Sequence, residues 1–416
     1  MAPAGKRGFC YVCGMRILFI ANITPWPMHG GAHLRIFNLM ERVAARHEVS
    51  IGCHAWNDAD RRGVAELNRM GFPATAGTTW WGSTWRQIKP GVRYALRGIP
   101  PDAAQYQAPE LHRLISEGNY DVLQIEESSL APYAASMPRH RRIQTVITLH
   151  NVQFLQDRRI AEIESTRSRR MWRSLNARWM RHYEPRMSAR FDRVITVSHD
   201  DRDALLRRSP GLRVDVIPNG VATRDLTPLP PHRGRPALVF VGTLAYRPCV
   251  DGAVWLVNEI LPLLRRTQPE LDVWIVGKQP SAEVLALAGP GVFVAGEVDD
   301  VRPYYARSSI AVVPLRAGGG SRLKILEAMA LGRCVVSTTI GAEGLRVLPG
   351  THVAIADDTA SFATAIGALL ANEPRRSAME QAARRLVETE YDWDIIANAQ
   401  LGIYDELADR ASSPSP

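Results

Sequence analysis

The chain has 416 residues, of which 46% are hydrophobic and 22% charged, and its formal net charge is +9. This length exceeds one ordinary hydrophobic core and predicts two domains, and the composition is that of a globular protein without low-complexity segments. No apolar run reaches the roughly 18–20 residues that a membrane-spanning helix needs, and the N-terminus is not that of a secretory signal peptide, so we expect a cytoplasmic protein.

The first fourteen residues precede a pattern that is typical of a chain start. That pattern, MRILFIAN, begins at Met15. We interpret residues 1–14 as an extension without fixed structure. Cys10 and Cys13 form a CxxC pair within it, but no second ligand pair at zinc-site spacing follows, so we predict no metal site.

The charge is unevenly distributed along the chain. Residues 1–225 carry a net charge of +12, and residues 226–416 carry −3. A basic surface of this kind is either a solvated face or one that attracts anionic lipid headgroups or a polyprenyl-phosphate acceptor. Nucleic-acid binding is not predicted, because no recognition motif accompanies the charge.

Short apolar runs alternate with helical segments through both halves of the chain. Runs of this length are expected in parallel sheets covered on both faces, and the alternation predicts a doubly wound α/β fold. The predicted strands are 16–21, 48–52, 122–125, 145–149, 193–197 and 214–217, then 237–241, 272–276, 291–294, 310–313, 334–337 and 352–355.

A proline-rich stretch, residues 226–236, divides the chain. It cannot sustain a helix or a central strand and is predicted to be a linker. The predicted domains are therefore residues 15–225 and 237–391, and residues 392–416 form a C-terminal helix and tail.

One helical region is strongly cationic. Apolar residues recur mostly at i+4 from 160 to 187, and eleven arginines lie from Arg158 to Arg193 against four acidic residues. Such a helix can lie at a membrane interface, or its apolar stripe can pack on its own domain with arginine stems covering the flanks. We favour packing on the domain.

Two glycines follow the first predicted strand. Gly30 and Gly31 stand before a helical pattern, where backbone N–H groups can approach an anion. A tight turn that needs a positive φ explains them equally well. The pattern is not GxGxxG, so an NAD oxidoreductase is disfavoured.

His150 lies in the sequence Thr-Leu-His-Asn at the end of the predicted strand 145–149. Ligands bind outside the carboxyl ends of strands in open α/β sheets. His150 is therefore placed to contact a substrate, and a histidine bonded within its own domain is the alternative.

Residues 318–337 carry the most specific pattern, GGGSRLKILEAMALGRCVVS. Three glycines before a helix expose N–H groups that suit a diphosphate, which makes Gly319, Gly320 and Ser321 candidate contacts. Nearby cations can neutralise the phosphate charge, and a glutamate can accept hydrogen bonds from a ribose diol. These side chains are Arg322, Lys324 and Glu327. The alternative is a flexible loop before a charged surface helix.

Taken in order, these motifs resemble those of GT-B glycosyltransferases of family 4. The resemblance covers nearly the whole chain from Met15. The matching landmarks are MRILFI, the Gly30-Gly31 turn, TLHN at 148–151, VITVS at 194–198, VIPNGV at 216–221, FVGTL at 240–244, VGK at 276–278, GEVDDV at 296–301, KILEAMALG at 324–332 and GAEGL at 341–345.

The resemblance implies two Rossmann-like domains that face a cleft. The donor nucleotide would bind the C-terminal domain and the acceptor the N-terminal one, and the last helix would cross back to the first domain. Family members retain the anomeric configuration and need no metal or other cofactor. The base would be read mainly by backbone near Val298, and Gly242, after the first strand of the second domain, is a further donor-site candidate.

The resemblance also implies roles for four residues named above. Glu327 would bind the ribose hydroxyls, and His150 would contact the donor sugar or its leaving phosphate. Gly30 and Gly31 would flank the phosphate or the acceptor.

Two features depart from the family pattern. The first of the family's two glutamates falls on Gly319, so its contact with the sugar lacks a side chain. The usual Arg and Lys are missing from residues 242–252. A subset that is linked to exopolysaccharide assembly, with a GGG-[ST]-R-L-K loop, shows both changes. We therefore predict that Arg322 and Lys324 clamp the diphosphate, with Arg247 as a weaker candidate.

The sequence thus predicts a retaining glycosyltransferase that uses a nucleotide-diphosphate sugar and a glycan or lipid-linked acceptor. It would lie in the cytoplasm, free or peripheral on the inner face of the membrane. A nucleotide-sugar epimerase and a non-catalytic nucleotide-sugar-binding relative stay open as alternatives. Trp80, Trp81 and Trp85 could stack on acceptor sugars, dock at a membrane or belong to the core.

Overall fold

The computed structural model describes residues 14–28, 30–78, 98–100, 103, 105–320 and 322–412. Within them, two parallel β-sheets form the centres of two Rossmann-like domains. The first sheet has the spatial order β3-β2-β1-β4-β5-β6-β7, and the second has the order β10-β9-β8-β11-β12-β13. The strands of the first sheet are β1 (Arg16–Ala21), β2 (Glu48–His54), β3 (Ala74–Gly77), β4 (Val122–Glu126), β5 (Gln144–Leu149), β6 (Arg193–Thr196) and β7 (Val214–Val216). Those of the second are β8 (Ala237–Val241), β9 (Asp272–Val276), β10 (Val292–Gly296), β11 (Ile310–Val313), β12 (Cys334–Ser337) and β13 (Ala354–Ile355).

Helices connect the strands and cover the sheets. In chain order they are α1 (Gly31–Val43), α2 (Asp58–Arg69), α3 (Pro109–Glu117), α4 (Gln153–Glu162), α5 (Arg167–Ser188), α6 (His199–Leu206), α7 (Arg247–Trp255), α8 (Leu261–Leu264), α9 (Ala282–Leu285), α10 (Arg302–Ala306), α11 (Leu323–Ala330), α12 (Thr339–Ala342), α13 (Thr359–Ala371), α14 (Glu373–Glu390) and α15 (Trp393–Ser412). A 3₁₀ segment spans Ser128–Ser136, and a π turn, Leu256–Ile260, joins α7 to α8. Among the described residues, no helix combines the length and apolar character needed to cross a bilayer.

The doubly wound parallel fold predicted from the apolar runs is confirmed. Each sheet reverses its strand order beside its first strand, between β1 and β4 and between β8 and β11. Such a reversal opens a crevice at the carboxyl ends of the strands, which is where ligands bind in this class of sheet. Each predicted strand overlaps an observed one, but β3 was not predicted, because Ala-Thr-Ala-Gly lacks a run of β-branched residues.

The prediction of one continuous helical region from 160 to 187 was wrong. The chain forms α4, leaves the helical conformation after Glu162, and begins α5 at Arg167. The buried carboxylate of Asp157 accepts hydrogen bonds from Arg173 Nη1 at 2.7 Å and Asn176 Nδ2 at 2.6 Å. Since both donors lie on α5, these bonds hold α5 folded back against α4.

The last helix packs on the first domain. Trp393, Tyr404 and Leu407 of α15 lie in one buried cluster with apolar residues of α1, β1 and β2. At the entry to α15, Val221 N–H donates to Tyr391 O at 2.7 Å and Trp393 N–H donates to Val221 O at 3.3 Å. The two segments that join the domains therefore lie side by side and bond to each other.

Candidate active site

The wall of the cleft on the first domain begins at the Gly30–Gly31 turn. A Cβ atom on Gly30 would lie 3.8 Å from Lys278 Nζ, and one on Gly31 would lie 3.0 Å from Leu323 Cδ1. Both partners belong to the second domain, and Leu323 is the first residue of α11. The glycines therefore allow the turn to approach a lysine and a helix N-terminus across the cleft.

His150 follows β5 and is held by a carboxylate. Its Nε2 lies 2.8 Å from Oε2 of Glu126, the last residue of β4. Burial pushes the pKa of Glu126 up, but the hydrogen bond and charge of His150, together with Arg35, hold it below its usual value. Glu126 is therefore an anion that accepts a hydrogen bond from His150 Nε2, and this bond orients the imidazole ring.

A buried network extends from this pair to α15. Gln124 Nε2 donates to Glu126 Oε1 at 2.9 Å, and Tyr404 Oη donates to Gln124 Oε1 at 3.2 Å. Gln400 Nε2 also donates to Gln124 Oε1, at 3.3 Å. The side chains that orient His150 are thus fixed partly by a helix about 250 residues further along the chain.

The glycine-rich loop of the second domain lies against the first domain. Gly318 and Gly320 have φ values of +120° and +70°, which strongly favour glycine. A Cβ atom on Gly320 would lie 2.6 Å from His150 O and 2.7 Å from Asn151 Oδ1. One on Gly319 would lie 3.3 Å from Asn151 Oδ1, so a glutamate in the family's usual position would crowd that amide. Ser321 lies outside the described residues.

Arg322 does not project freely into the cleft. The residue is 7% exposed; its Nη1 donates to Gly319 O and its Nη2 donates to Ile340 O at 3.2 Å. Burial lowers the pKa of the guanidinium, although Glu343 and Tyr246 nearby counteract it. In this arrangement Arg322 stabilises the loop backbone, so its predicted role in a phosphate clamp would require these bonds to rearrange.

Lys324 fills the space beneath Gly242. Its Nζ lies 3.4 Å from Cys249 Sγ, 4.9 Å from the centre of the Phe240 ring, and 2.8 Å from the place of a Cβ on Gly242. Any larger residue at position 242 would displace the ammonium group. Gly242 therefore leaves room for the lysine side chain.

Glu327 lies in the second turn of α11. Its Oε2 accepts a hydrogen bond from Tyr305 Oη at 3.3 Å. Burial raises the pKa of Glu327 to about 7, against the opposing effects of Tyr305 and Lys324. Val298, beyond β10, is partly buried against the core of the same domain. A carboxylate with one neutral donor retains lone pairs for further hydroxyl groups.

Family models match both halves of the chain. Residues 29–225 match the model described as Glycosyltransferase Family 4, and residues 235–372 match the one described as Glycosyl transferases group 1. This chain is a GT-B glycosyltransferase. The match supports glycosyl transfer and does not support the epimerase or the non-catalytic relative that the sequence left open.

Individual relatives of this glycosyltransferase extend the match. Phosphatidyl-myo-inositol mannosyltransferase from Propionibacterium freudenreichii is 27% identical over 310 residues, 71% of this chain and 73% of that protein. Sucrose-phosphate synthase from Thermosynechococcus elongatus has a TM-score of 0.70 at 17% identity, covering 95% of this chain and 100% of that one. Anabaena Alr3699/HepE in complex with UDP and glucose has a TM-score of 0.66 at 15% identity, with the same coverage. At these identities the two solved structures show the fold alone.

The candidate site contains residues that the sequence did not predict. Lys278 follows β9 in the VGK landmark, and Glu126 ends a strand just as His150 follows one, so both had a positional signal. Arg159 and Glu343 form an ion pair across the cleft and are 184 residues apart, so no local pattern could link them. No group of three or more His, Cys, Asp or Glu suited to a metal occurs in the described part of the chain.

Proposed function

We propose that the protein transfers a sugar, with retention of anomeric configuration, from a nucleotide-diphosphate sugar to a hydroxyl group of a glycan or lipid-linked acceptor. The observation that carries this proposal is the convergence of the Gly30–Gly31 turn, the glycine loop before α11, and Lys278 and Lys324 at one cleft. Glu327 on α11 supplies an acceptor for a ribose diol. Assembly of an exopolysaccharide or glycolipid fits the mannosyltransferase relative.

Each group has a distinct part in the proposed reaction. As the C1–O bond to the diphosphate loosens, negative charge grows on the leaving group. The N-terminus of α11, Lys278 and Lys324 stabilise that charge without reorganising, which is electrostatic preorganisation. His150 contacts the donor sugar. The acceptor hydroxyl attacks C1 from the face that the diphosphate leaves and passes its proton to the departing phosphate as the new C1–O bond forms.

The proposal is tested with the purified full chain and a panel of UDP, GDP, ADP and dTDP, followed by their sugars. We expect one nucleoside diphosphate to bind and to raise the unfolding temperature in proportion to log concentration. The sugar donor of that nucleotide should then yield product whose anomeric proton coupling matches the donor's configuration. Absence of binding across the panel would remove the donor-site assignment, and an inverted product would remove retention alone.

Nucleotide binding should depend on pH through Glu327. Because ribose hydroxyls donate to the ionised carboxylate, affinity should rise as pH passes upward through the pKa of about 7. The ionised fraction of Glu327 grows about ten-fold between pH 6 and 8, and the affinity for the nucleoside diphosphate should grow by up to the same factor. The terminal phosphate of the nucleoside diphosphate gains its second negative charge at about pH 6, and this charge should also raise the affinity as pH rises. Calorimetry on Glu327→Gln isolates the protein's share, since only the phosphate effect should remain there.

We also propose that α5 docks the enzyme on anionic membranes from the cytoplasmic side. Met171, Trp172 and Leu175 are 64%, 46% and 58% exposed. Exposed cationic residues of the same helix surround them, and together they form the α5 surface. These residues are Arg167, Arg169, Arg170, Arg178, Arg181 and Arg186. Exposed apolar groups flanked by arginine suit a lipid interface, and the one acidic residue of α5, Glu184, is buried.

The α5 surface predicts a measurable lipid preference. The wild-type chain should sediment with vesicles that contain phosphatidylglycerol but not with pure phosphatidylcholine. Replacing Met171, Trp172 and Leu175 by serine should weaken binding about ten-fold or more, because their apolar area no longer enters the interface. Leu348→Ser, at a 60% exposed leucine of the second domain, is the control. Equal binding by both variants would show that α5 is not the docking surface.

A further inference from the structure

Arg159 lies on α4 of the first domain, but its guanidinium bonds to the second domain. Nη1 donates to Gly318 O at 3.0 Å, and Nη2 donates to Glu343 Oε1 at 2.7 Å. Nη1 also contacts the other carboxylate oxygen of Glu343. One side chain thus joins the donor-side loop to the segment after α12 from across the cleft.

The contact is shielded from solvent. The side chains of Arg159 and Glu343 are 21% and 19% exposed. The hydrogen bond with Glu343 raises the pKa of Arg159, so the guanidinium stays charged throughout the working range. A planar guanidinium suits this arrangement, because its nitrogens can bind a carboxylate and a carbonyl oxygen together.

The loop that Arg159 holds has little stiffness of its own. Three consecutive glycines carry no side chains, and two of them have positive φ. Arg159 binds the carbonyl of Gly318, and Arg322 binds the carbonyl of Gly319. In a trans peptide the N–H points opposite to the C=O, so the N–H groups of Gly319 and Gly320 are turned away from these arginines. Among the described residues, none accepts a hydrogen bond from either N–H.

Other contacts between α4 and the second domain differ from this one. Gln156 Nε2 donates to Tyr246 Oη at 2.8 Å, and Arg247 Nε donates to Ile163 O at 3.2 Å, beyond the end of α4. Both join the domains, but neither bonds to the backbone of the glycine loop. Of these three side chains, only Arg159 joins the two domains and also bonds to a backbone carbonyl of the glycine loop.

We propose that Arg159 is a positioning residue for sugar transfer: with the domains closed, it fixes the Gly318–Gly319 peptide so that the following N–H groups can bind the donor diphosphate. Glu343 orients Arg159 for this purpose. The inference rests on the proposed function, because it assumes that a nucleoside diphosphate binds at this loop. It makes domain closure a condition for completing the donor site.

The test is calorimetric titration of the full wild-type chain with UDP, GDP, ADP and dTDP. The variants are then titrated with the nucleotide that binds to wild type. Arg159→Met should weaken binding about ten-fold, as expected for loss of an ionic contact that preorganises a phosphate loop. Arg159→Lys should bind about three-fold more weakly than wild type, since one ammonium group cannot hold Glu343 and Gly318 as the fork does. Glu343→Gln should weaken binding less than Arg159→Met.

Arg158→Met is the matched control. Arg158 is the neighbouring residue of α4, is exposed, and approaches Glu162 of its own helix at 3.9 Å. The variant loses the same charge as Arg159→Met, but Arg158 does not touch the second domain. Its nucleotide affinity should therefore lie within about two-fold of that of wild type. Thermal unfolding without nucleotide is measured in parallel, because a purely structural role would lower the unfolding temperature of Arg159→Met and leave its nucleotide affinity unchanged.

The outcomes separate the two proposals. If wild type binds none of the four nucleotides, the donor-site assignment fails and the inference fails with it. If wild type binds one and Arg159→Met binds it equally well, only the positioning role is overturned. A graded loss in the order wild type, Arg159→Lys, Arg159→Met, with Arg158→Met unaffected, supports the role of Arg159.

Discussion

Replacing Glu327 by alanine is expected to reduce kcat/KM for sugar transfer about 1000-fold. The carboxylate of Glu327 is proposed to accept hydrogen bonds from both ribose hydroxyls, and hydrogen bonds to a charged group contribute about 1.5–3 kcal/mol each. Its loss would also leave Tyr305 Oη without its carboxylate acceptor. Two such bonds account for about 4 kcal/mol, or three orders of magnitude, and steady-state kinetics with the donor identified by the nucleotide panel would measure it.

Two further variants separate chemistry from folding at this position. Glu327→Gln keeps the shape and one acceptor oxygen, so it should lose less activity than the alanine variant. Glu380→Gln is the control, because burial also raises the pKa of Glu380 and its Oε1 accepts from Cys334 N–H at 3.3 Å, away from the cleft. Near-normal transfer by Glu327→Ala would show that the ribose is bound elsewhere.

Replacing His150 by alanine is expected to lower kcat about 100-fold while changing nucleoside diphosphate affinity little. His150 lies at the carboxyl end of β5 on the first domain and is proposed to contact the donor sugar, not the nucleotide. An interaction that strengthens as the sugar becomes positively charged acts mainly in the transition state and therefore appears in kcat. Kinetics with the sugar donor and calorimetry with the nucleoside diphosphate would measure the two effects separately.

Glu126 gives this prediction an internal check. Glu126→Gln keeps a hydrogen-bonding group near His150 Nε2 but removes the charge that stabilises and orients the ring. We expect kcat to fall about ten-fold, less than for His150→Ala, as is usual for a residue that orients another. His232→Ala, at a half-buried histidine of the linker, should retain full activity. Equal nucleotide affinity and equal kcat in His150→Ala and wild type would place the sugar away from His150.

The donor-side motif shows how far local sequence could be taken. The glycines before the helix, the lysine in its first turn and the glutamate in its second turn are all local features, and α11 occurs where the pattern predicts it. The orientation of the Arg322 side chain could not be predicted from neighbouring residues alone. Whether its guanidinium faces a ligand or a carbonyl depends on Ile340, which a later strand and helix bring beside it.

Two further predictions from the sequence concern residues that the structure does not describe. The predicted extension, residues 1–14, lies outside the described residues except for Gly14, and Trp80, Trp81 and Trp85 lie outside them entirely. Their roles stay predictions.

The apolar stripe of the cationic helical region is only partly buried. Tyr183 is buried, whereas Met171 and Leu175 are exposed. Ile160, at the start of the region, is also buried, so packing on the domain explains both ends of the region but not its middle part around Met171 and Leu175.

Local sequence was enough to predict the doubly wound fold and the side chains of α11, because strand burial, turn chemistry and helix starts depend on neighbours within a few residues. The order of the motifs indicated the family. Contacts between distant parts of the chain became visible only in the folded structure. Glu126 and His150 are 24 residues apart, and Arg159 and Glu343 are 184 apart. Their contacts depend on strand order and domain closure, which arise from packing of the whole chain. The glycines of the loop are therefore evident from the sequence, but the orientation of the loop depends on Arg159 of the opposite domain.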